Sequence, residues 1–318
     1  MSSLAKLSEQ YSPVALELLK SPKVRNAAAI FGFLTLLPSL NRWLSWRRAN
    51  NNITRRTWNA PKEIVVVTGG SSGIGAKIVQ MLESRGLKII ILDVNPPPTK
   101  TAQNTAFYEV DLSDPAAISE IAERIRRDHG HPTVLINNAG IGNGESIISV
   151  APTKLQKLFN VNLVAPFLLT QQFLPEMISQ NHGHIVNIAS MASFSTQAAN
   201  VDYAASKVGL LAFHEGIKQE LKHVYKAPAV RATVVHPTWV QTPMIDKLLK
   251  TGKLGRYVTA EDVACAVVKQ ITSGYGAQVV VPPDMAWTSM IRGFPVWLQE
   301  SLRDMVTQGL LRAIHETS

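Results

Sequence analysis

The chain has 318 residues, of which 46% are hydrophobic and 17% charged, with a net charge of +9 and a single cysteine. That length suits one large domain plus extensions with ample core, and the composition suits a globular protein with a lipid-facing portion. One cysteine, Cys265, excludes an internal disulfide and fits a reducing compartment; the helical pattern around it, Glu261–Ile271, predicts core packing.

Residues 1–60 precede the patterned domain. Within them Ala27–Leu40 (AAAIFGFLTLLPSL) is uncharged but only fourteen residues long, against the roughly 20 that a straight membrane crossing needs. Extension through Trp43-Leu44-Ser45-Trp46, an anchor of about residues 27–46, admits Arg42, whose side chain can snorkel to the interface. Pro38 predicts a kink. The segment fits a re-entrant or interfacial anchor as well as a spanning one, and equally a helix packed on its own domain. Trp43, Trp46 and Trp58 suit an interface belt, and Arg42, Arg47, Arg48, Arg55 and Arg56 suit a cytoplasmic, anionic surface. A membrane surface explains this positive charge better than nucleic acid does. The late start of the run argues against a cleaved signal peptide, and Glu9 and Glu17 against a mitochondrial presequence.

Glu63–Thr68 (EIVVVT) is a short β-branched run of the kind that forms a buried parallel strand. It leads into Gly69-Gly70-Ser71-Ser72-Gly73-Ile74-Gly75 and then a helical pattern, Ala76–Arg85. Strand, glycine turn and helix open a dinucleotide-binding unit, in which glycines permit close backbone approach and the helix N-terminus faces the pyrophosphate. The spacing is G-x-x-x-G-x-G, and such a loop alone is also compatible with a simple turn. The next strand, Leu87–Leu92, ends at Asp93, eighteen residues after Gly75. An acid there accepts hydrogen bonds from the adenosine ribose and repels a 2′-phosphate. Ser72, Val94 and Asn95 supply no positive charge, so NAD(H) is favoured over NADP(H). The alternative is an aspartate capping a turn.

Strand and helix patterns then alternate: Phe107–Asp111, Pro115–Arg127, Thr133–Ile136, Lys154–Gln180, His184–Ala189, Tyr203–His223, Val230–His236, Thr259–Ile271 and Gln278–Val281. Asp114-Pro115 is a helix start, an acid cap with proline at the first helical position. The alternation predicts an α/β fold, a doubly wound parallel sheet of the Rossmann type with helices on both faces. It forms a single catalytic domain over residues 61–283, behind an N-terminal membrane anchor. No metal-like register appears among the histidines, and no metal site is expected. His182 and His184, flanking Gly183, are expected in a solvated turn.

Ser190, Tyr203 and Lys207 carry the chemistry. Tyr203 stands thirteen residues after Ser190, and Lys207 four after Tyr203, one helical turn on, so the two heads share a helix face. A free tyrosine titrates near ~10; a nearby ammonium favours the phenolate and turns Tyr203 into a usable acid or base. Residues 284–318 form an amphipathic tail, with Trp287, Met290, Ile291, Phe294, Trp297, Leu298 and Leu302 among basic residues. Such a tail roofs a substrate cleft, dips into a bilayer interface, or closes on the core or a dimer partner.

Over about residues 62–283 these motifs together resemble the short-chain dehydrogenase/reductase family. TGGSSGIG at Thr68–Gly75 is similar to its cofactor loop, and Asp111-Leu112 to the acid–apolar pair that brackets adenine. NNAG at Asn137–Gly140 is similar to the segment lining the adenosine side. Asn162 matches the asparagine of the catalytic tetrad, completed by Ser190, Tyr203 and Lys207. HPTWVQT at His236–Thr242 is similar to the segment that contacts the nicotinamide amide, with Thr238 where glycine is usual. The resemblance therefore implies cofactor contacts at Gly69, Ser71, Ser72, Gly73, Ile74, Gly75, Asp93, Asp111, Leu112, Asn138, Ala139, Gly140, Asn162, Tyr203, Lys207, Pro237, Val240 and Thr242.

It also implies a mechanism. Tyr203 exchanges the proton of the reacting hydroxyl, Lys207 binds the nicotinamide ribose and lowers the tyrosine pKa, Ser190 holds the substrate oxygen, and Asn162 places a water in a relay. The tail is similar to that of membrane-associated members acting on retinoids, sterols and other lipids. A hydrophobic small-molecule substrate, a membrane surface and a homodimer through the long helices are thus the expected partners, without nucleic acid. The expected location is the endoplasmic reticulum or a lipid droplet, with the catalytic domain in the cytosol. Substrate contacts are expected in Ile141–Val150, Ala192–Asp202 and Pro243–Val258, which show no charge pattern selecting a phosphate or carboxylate. An NADP(H)-dependent lipid ketoreductase and a non-enzymatic scaffold on membranes or droplets are the alternatives.

Overall fold

The structure, a computed structural model, describes residues 21–54 and 58–317. Glu9, Glu17, Arg55 and Arg56 lie outside the described residues. The chain divides into two units with the boundary between Asn52 and Ile53.

The first unit carries helix α1, Pro22–Ala49, a continuous helix of 28 residues that includes Pro38 and is about 42 Å long at 1.5 Å per residue. Length is therefore ample, but Lys23, Arg25, Arg42, Arg47 and Arg48 break the apolar run. No helix among the described residues is long and apolar enough to cross a membrane. Leu36, Leu40, Trp43 and Leu44 are exposed, and the Arg47 guanidinium lies over the Trp43 ring at 5.0 Å.

The second unit is built on seven parallel strands: β1 Ile64–Thr68, β2 Lys88–Asp93, β3 Thr105–Glu109, β4 Val134–Asn137, β5 His184–Ile188, β6 Arg231–Pro237 and, after the short pair β7 Trp239–Gln241 and β8 Tyr257–Thr259 with the short helix α7 Asp246–Lys250 between them, β9 Gln278–Val281. Their order is β3-β2-β1-β4-β5-β6-β9, which reverses direction between β1 and β4. Each central strand is buried on both faces, and its side chains alternate between two cores. Val65, Val67, Ile89 and Ile91 meet helices α2 (Gly73–Glu83) and α8 (Ala260–Ser273) on one side. Val66, Ile90, Leu92 and Leu135 meet α3 (Pro115–His129) and α5 (Ala165–Ser179) on the other. Buried side chains of this size contribute roughly 1.5–3 kcal/mol each.

Local chemistry sets the helix ends. Asp114 accepts a hydrogen bond from Ala116 N at 2.9 Å, with Pro115 in the first turn, as the sequence predicts. Thr259 and Asp262 form a reciprocal capping box on α8, and Gly274 ends that helix in the left-handed region.

Four expectations are corrected. The pattern read as one helix over Lys154–Gln180 is α4 (Pro152–Phe159), a π-helical turn (Asn160–Val164) and α5. Cys265 is exposed, because α8 buries Val263, Ala264, Val267, Val268 and Ile271 and leaves position 265 off that stripe. Trp58 packs against the core beside β1 rather than joining an interface belt. His184 is not in a solvated turn: it begins β5, is buried, and bonds Thr233 Oγ1 at 2.8 Å. His182 is half-buried and contacts the buried carboxylate of Glu63 at 3.2 Å.

Candidate active site

The β1–α2 turn is shaped by what glycine permits. Gly69 and Gly73 have φ of +62° and +52°, values that side-chain-bearing residues adopt at a cost. A Cβ on Gly75 would lie 2.0 Å from the Gly69 carbonyl oxygen, so only glycine lets the helix begin this close to the turn. Asn138 braces the turn from β4, donating from Nδ2 to the Thr68 and Gly69 carbonyls at 2.9 and 3.1 Å. Thr68 Oγ1 accepts from the backbone N–H groups of Asn138 and Ala139.

Asp93, at the end of β2, accepts from Ser71 N at 3.0 Å and Asn95 N at 3.2 Å, which aligns its carboxylate beside the turn. Ser71 Oγ is buried and unpartnered within the described residues, a polar atom that calls for a ligand. Asp111 is engaged elsewhere: the Ser113 N–H, against a smaller cost of burial, and Lys157 at 3.1 Å hold its carboxyl low. Leu112 beside it is buried. Across the turn, Thr242 Cγ2 would lie 3.2 Å from a Cβ on Gly73. Pro237 and Val240 line the same cavity as Gly69, Ser72, Gly73 and Ile74. A glycine-only cradle, an orphan hydroxyl and a strand-end acid fit a dinucleotide.

The candidate reactive groups, Ser190, Tyr203 and Lys207, lie further along that cavity. Ser190 follows β5 in extended conformation and caps a short 3-10 turn, Met191–Ser193, through Ala192 N donating to its Oγ at 3.1 Å. Tyr203 and Lys207 sit one turn apart on α6 (Val201–His223). Burial raises the pKa of Tyr203, and a hydrogen bond with Ser190 opposes that rise. Lys207 is buried, and burial lowers its ammonium to about 8. Its Nζ donates to the Ile188 carbonyl at 2.9 Å and lies 5.5 Å from the centre of the Tyr203 ring.

Asn162 lies in the π-turn, which displaces its side chain from a regular helical register. Buried, it bonds both polar atoms of the Ile141 backbone, accepting at 2.8 Å and donating at 2.9 Å, and donates to Ser206 Oγ at 3.1 Å. A Cβ on Gly140 would lie 3.4 Å from Lys207 Nζ and 3.5 Å from Asn162 Oδ1, so lysine and asparagine face one another across that glycine. Ser190, Tyr203, Lys207 and Asn162, scattered over 46 residues, are thus drawn together by β5, α6 and the π-turn.

The cavity, about 660 Å³, runs from the glycine turn past Tyr203 to an apolar mouth. All three expected substrate segments contribute to its walls. The tail folds into a 3-10 helix, Pro283–Gly293, and helix α9, Val296–Thr317. Trp287, Ile291, Leu302, Met305, Leu310 and Ile314 close the cavity from above, so of the arrangements open to the tail, roofing the cleft is realised. Lys253 and Arg256, two cations within the expected substrate segment Pro243–Val258, also line the cleft. Each is paired, Lys253 with Glu316 at 3.3 Å and Arg256 with Asp284.

Sequence reasoning missed His236. Its fully buried ring stands 4.4 Å from that of Phe194, and its Nδ1 donates to the Ser190 carbonyl oxygen at 3.1 Å. Burial lowers it to about 4, so it is neutral at physiological pH. The only signal was its place directly before Pro237.

Residues 63–253 match the family model described as short chain dehydrogenase. Dehydrogenase RED2 of Cochliobolus heterostrophus is 42% identical over 217 residues, covering 67% of this chain and 82% of the relative. Retinol dehydrogenase 10-B of Xenopus laevis is 29% identical over 219 residues, 58% of this chain and 64% of its own length. Among solved structures, a 4-hydroxyisoleucine dehydrogenase complexed with NADH aligns with a TM-score of 0.59 at 23% identity, over 69% of this chain and 97% of that one. A metagenomic short-chain oxidoreductase in complex with NADP aligns with a TM-score of 0.55 at 28% identity, over 69% and 96%.

Proposed function

This chain belongs to the short-chain dehydrogenase family as a pyridine-nucleotide-dependent oxidoreductase, and we propose that it transfers hydride between NAD(H) and the hydroxyl or ketone of a hydrophobic substrate. One observation carries this reading: a single cavity joins the glycine cradle to Tyr203 and continues beneath an apolar roof from the tail. The nicotinamide, when bound, supplies the hydride acceptor or donor.

The chain's own residues manage the proton and the geometry. Tyr203 Oη takes the proton of the substrate hydroxyl in oxidation and returns one to the carbonyl oxygen in reduction. Ser190 Oγ, fixed by Ala192 N, holds the same substrate oxygen, and its bond to Tyr203 favours the phenolate. Lys207, still cationic at neutral pH, holds the nicotinamide ribose. Asn162, facing it across Gly140, places a water through which protons leave. The apolar roof excludes bulk water, which strengthens each of these interactions.

Asp93 supports NAD(H) as the preferred cofactor, because its carboxylate stands where a 2′-phosphate would be repelled. The exposed apolar side chains of α1 and its arginines support attachment to a cytosolic membrane surface, and exposed Phe167 on α5 supports a homodimer through α5 and α6. Tryptophan-fluorescence titration with NADH and NADPH, followed by turnover of a retinoid, a sterol and a long-chain secondary alcohol, tests the reading. Tighter NADH binding and preference for the apolar alcohols over small polar ones are expected. Preference for NADPH, or for small polar substrates, would overturn it.

A further inference from the structure

Asp202 stands immediately before Tyr203 in the first turn of α6, and its side chain is buried. One carboxylate oxygen accepts from Tyr203 N at 2.7 Å, satisfying a helix N–H that has no intrahelical partner. The other accepts from Asn143 Nδ2 at 2.6 Å. A carboxylate only accepts, so the orientation of the Asn143 amide is fixed by chemistry.

Asn143 belongs to the irregular segment that leaves β4. Hydrogen bonds tie this segment at Ile141, through Asn162, at Asn143, through Asp202, and at Glu145, through Lys154. Gly140, Gly142 and Gly144 punctuate it, so its backbone has little stiffness of its own. It nevertheless forms one wall of the cleft: Gly142, Asn143 and Gly144 line the cavity, and a Cβ on Gly142 would lie 3.7 Å from Tyr203 Cδ2.

We propose that Asp202 is a positioning residue that, by holding Asn143, fixes residues 141–150 as a wall beside Tyr203 and so sets the fit of the substrate. The proposal rests on the oxidoreductase reading above. An acid at 202 serves both ends of the tether, accepting from the helix N-terminus and from the loop.

Exchanging the two partners tests this in the full-length protein. In Asn143→Asp two carboxylates face each other at hydrogen-bond distance and repel. In Asn143→Asp combined with Asp202→Asn, the new amide donates to the new carboxylate and still accepts from Tyr203 N. Hydrogen exchange of residues 141–150 and oxidation of 2-decanol with NAD are the readouts. The single variant is expected to exchange on the order of 10-fold faster in that segment and to raise KM about 10-fold with kcat within about 3-fold, changes worth roughly 1.4 kcal/mol. The exchanged pair is expected to bring hydrogen exchange of that segment back to within about 2-fold of wild type and to recover most of the lost KM.

Should Asn143→Asp fail to fold, Asn143→Ala removes the tether without opposing charges. Unchanged exchange and KM in the disrupting variant, or a paired variant as impaired as the single one, would overturn the proposal. NADH titration and Tyr203→Phe, run in parallel, report separately on the oxidoreductase reading, and hydrogen exchange tests the tether even if 2-decanol is not turned over.

Discussion

Lys207 Nζ donates to the Ile188 carbonyl oxygen at 2.9 Å while standing 5.5 Å from the centre of the Tyr203 ring. A strand end thus anchors the cation beside the phenol before any cofactor arrives. Replacing Lys207 with Met removes it, and kcat/KM is expected to fall by about 10–100-fold, the roughly 1.5–3 kcal/mol of a hydrogen bond made by a charged group. The pH dependence of stability provides a second readout. Burial lowers Lys207 from 10.5 to about 8, so its contribution to stability is fully present above pH 10.5 and is lost as pH falls through about 8. Melting temperature relative to Lys207→Met should therefore rise for the wild type across that window; parallel curves would contradict the assignment.

Asp93 offers a test of cofactor choice. In Asp93→Ser combined with Val94→Arg, repulsion of a 2′-phosphate is replaced by a charge-assisted bond. The ratio of kcat/KM for NADP to that for NAD should rise on the order of 100-fold, about 2.7 kcal/mol. A ratio that does not move would mean that the contacts with Ser71 N and Asn95 N describe a structural aspartate only.

His236 fixes Ser190 from behind, sharing the serine carbonyl oxygen with the N–H of Ser193, 2.9 Å away. His236→Phe keeps a ring against Phe194 and loses the donor. Loss of one hydrogen bond, about 0.5–1.5 kcal/mol, corresponds to a fall in kcat of roughly 2–10-fold, with NADH affinity unchanged. His236→Asn restores a donor near the position of Nδ1 and should recover most of the rate. Equal rates in both variants would remove His236 from the site's support.

Glu63 and His182 form a pH-dependent contact at the opposite end of the sheet. Burial pushes the Glu63 carboxyl up, but hydrogen bonds from His182, Thr133 and Asn59 outweigh it and hold the carboxyl low. The hydrogen bond to Glu63 raises His182, against burial. The histidine's contribution is present below about 6.5 and lost as pH climbs through its raised pKa; the glutamate's is present above about 4.5 and lost on acidification. His182→Ala should cost about 1–3 kcal/mol near pH 6, a few degrees of Tm, and less at pH 8.5. A pH-independent difference would contradict the ion pair.

Much of the sheet was legible because Val65–Val67 and Ile89–Leu92 are apolar at every position, as strands buried on both faces must be. The Asp114-Pro115 start and the glycine turn were legible because their chemistry is local. Where a partner lies far along the chain, sequence could not show it: the pattern opened a strand at His184, but the burial of its ring depends on Thr233, 49 residues on. The π-turn at Asn162 leaves no local pattern, since its extra residue is absorbed within a continuous helical run. Cys265 is a different case, because the stripe Val263, Ala264, Val267, Val268 and Ile271 already excluded it. The roof contributed by Leu302, Met305 and Leu310 depended on the tail's return path, which amphipathicity alone leaves open.

Tyr203→Phe tests the central claim most directly. It keeps the ring, the helix and the contacts of Lys207 and removes only the hydroxyl proposed to pass the proton. NADH binding by fluorescence quenching should stay within about 2-fold of wild type while turnover of an apolar secondary alcohol falls by at least about 100-fold. A variant that binds NADH and turns over at the wild-type rate would show that Tyr203 is not the acid–base group and that the chemistry lies elsewhere.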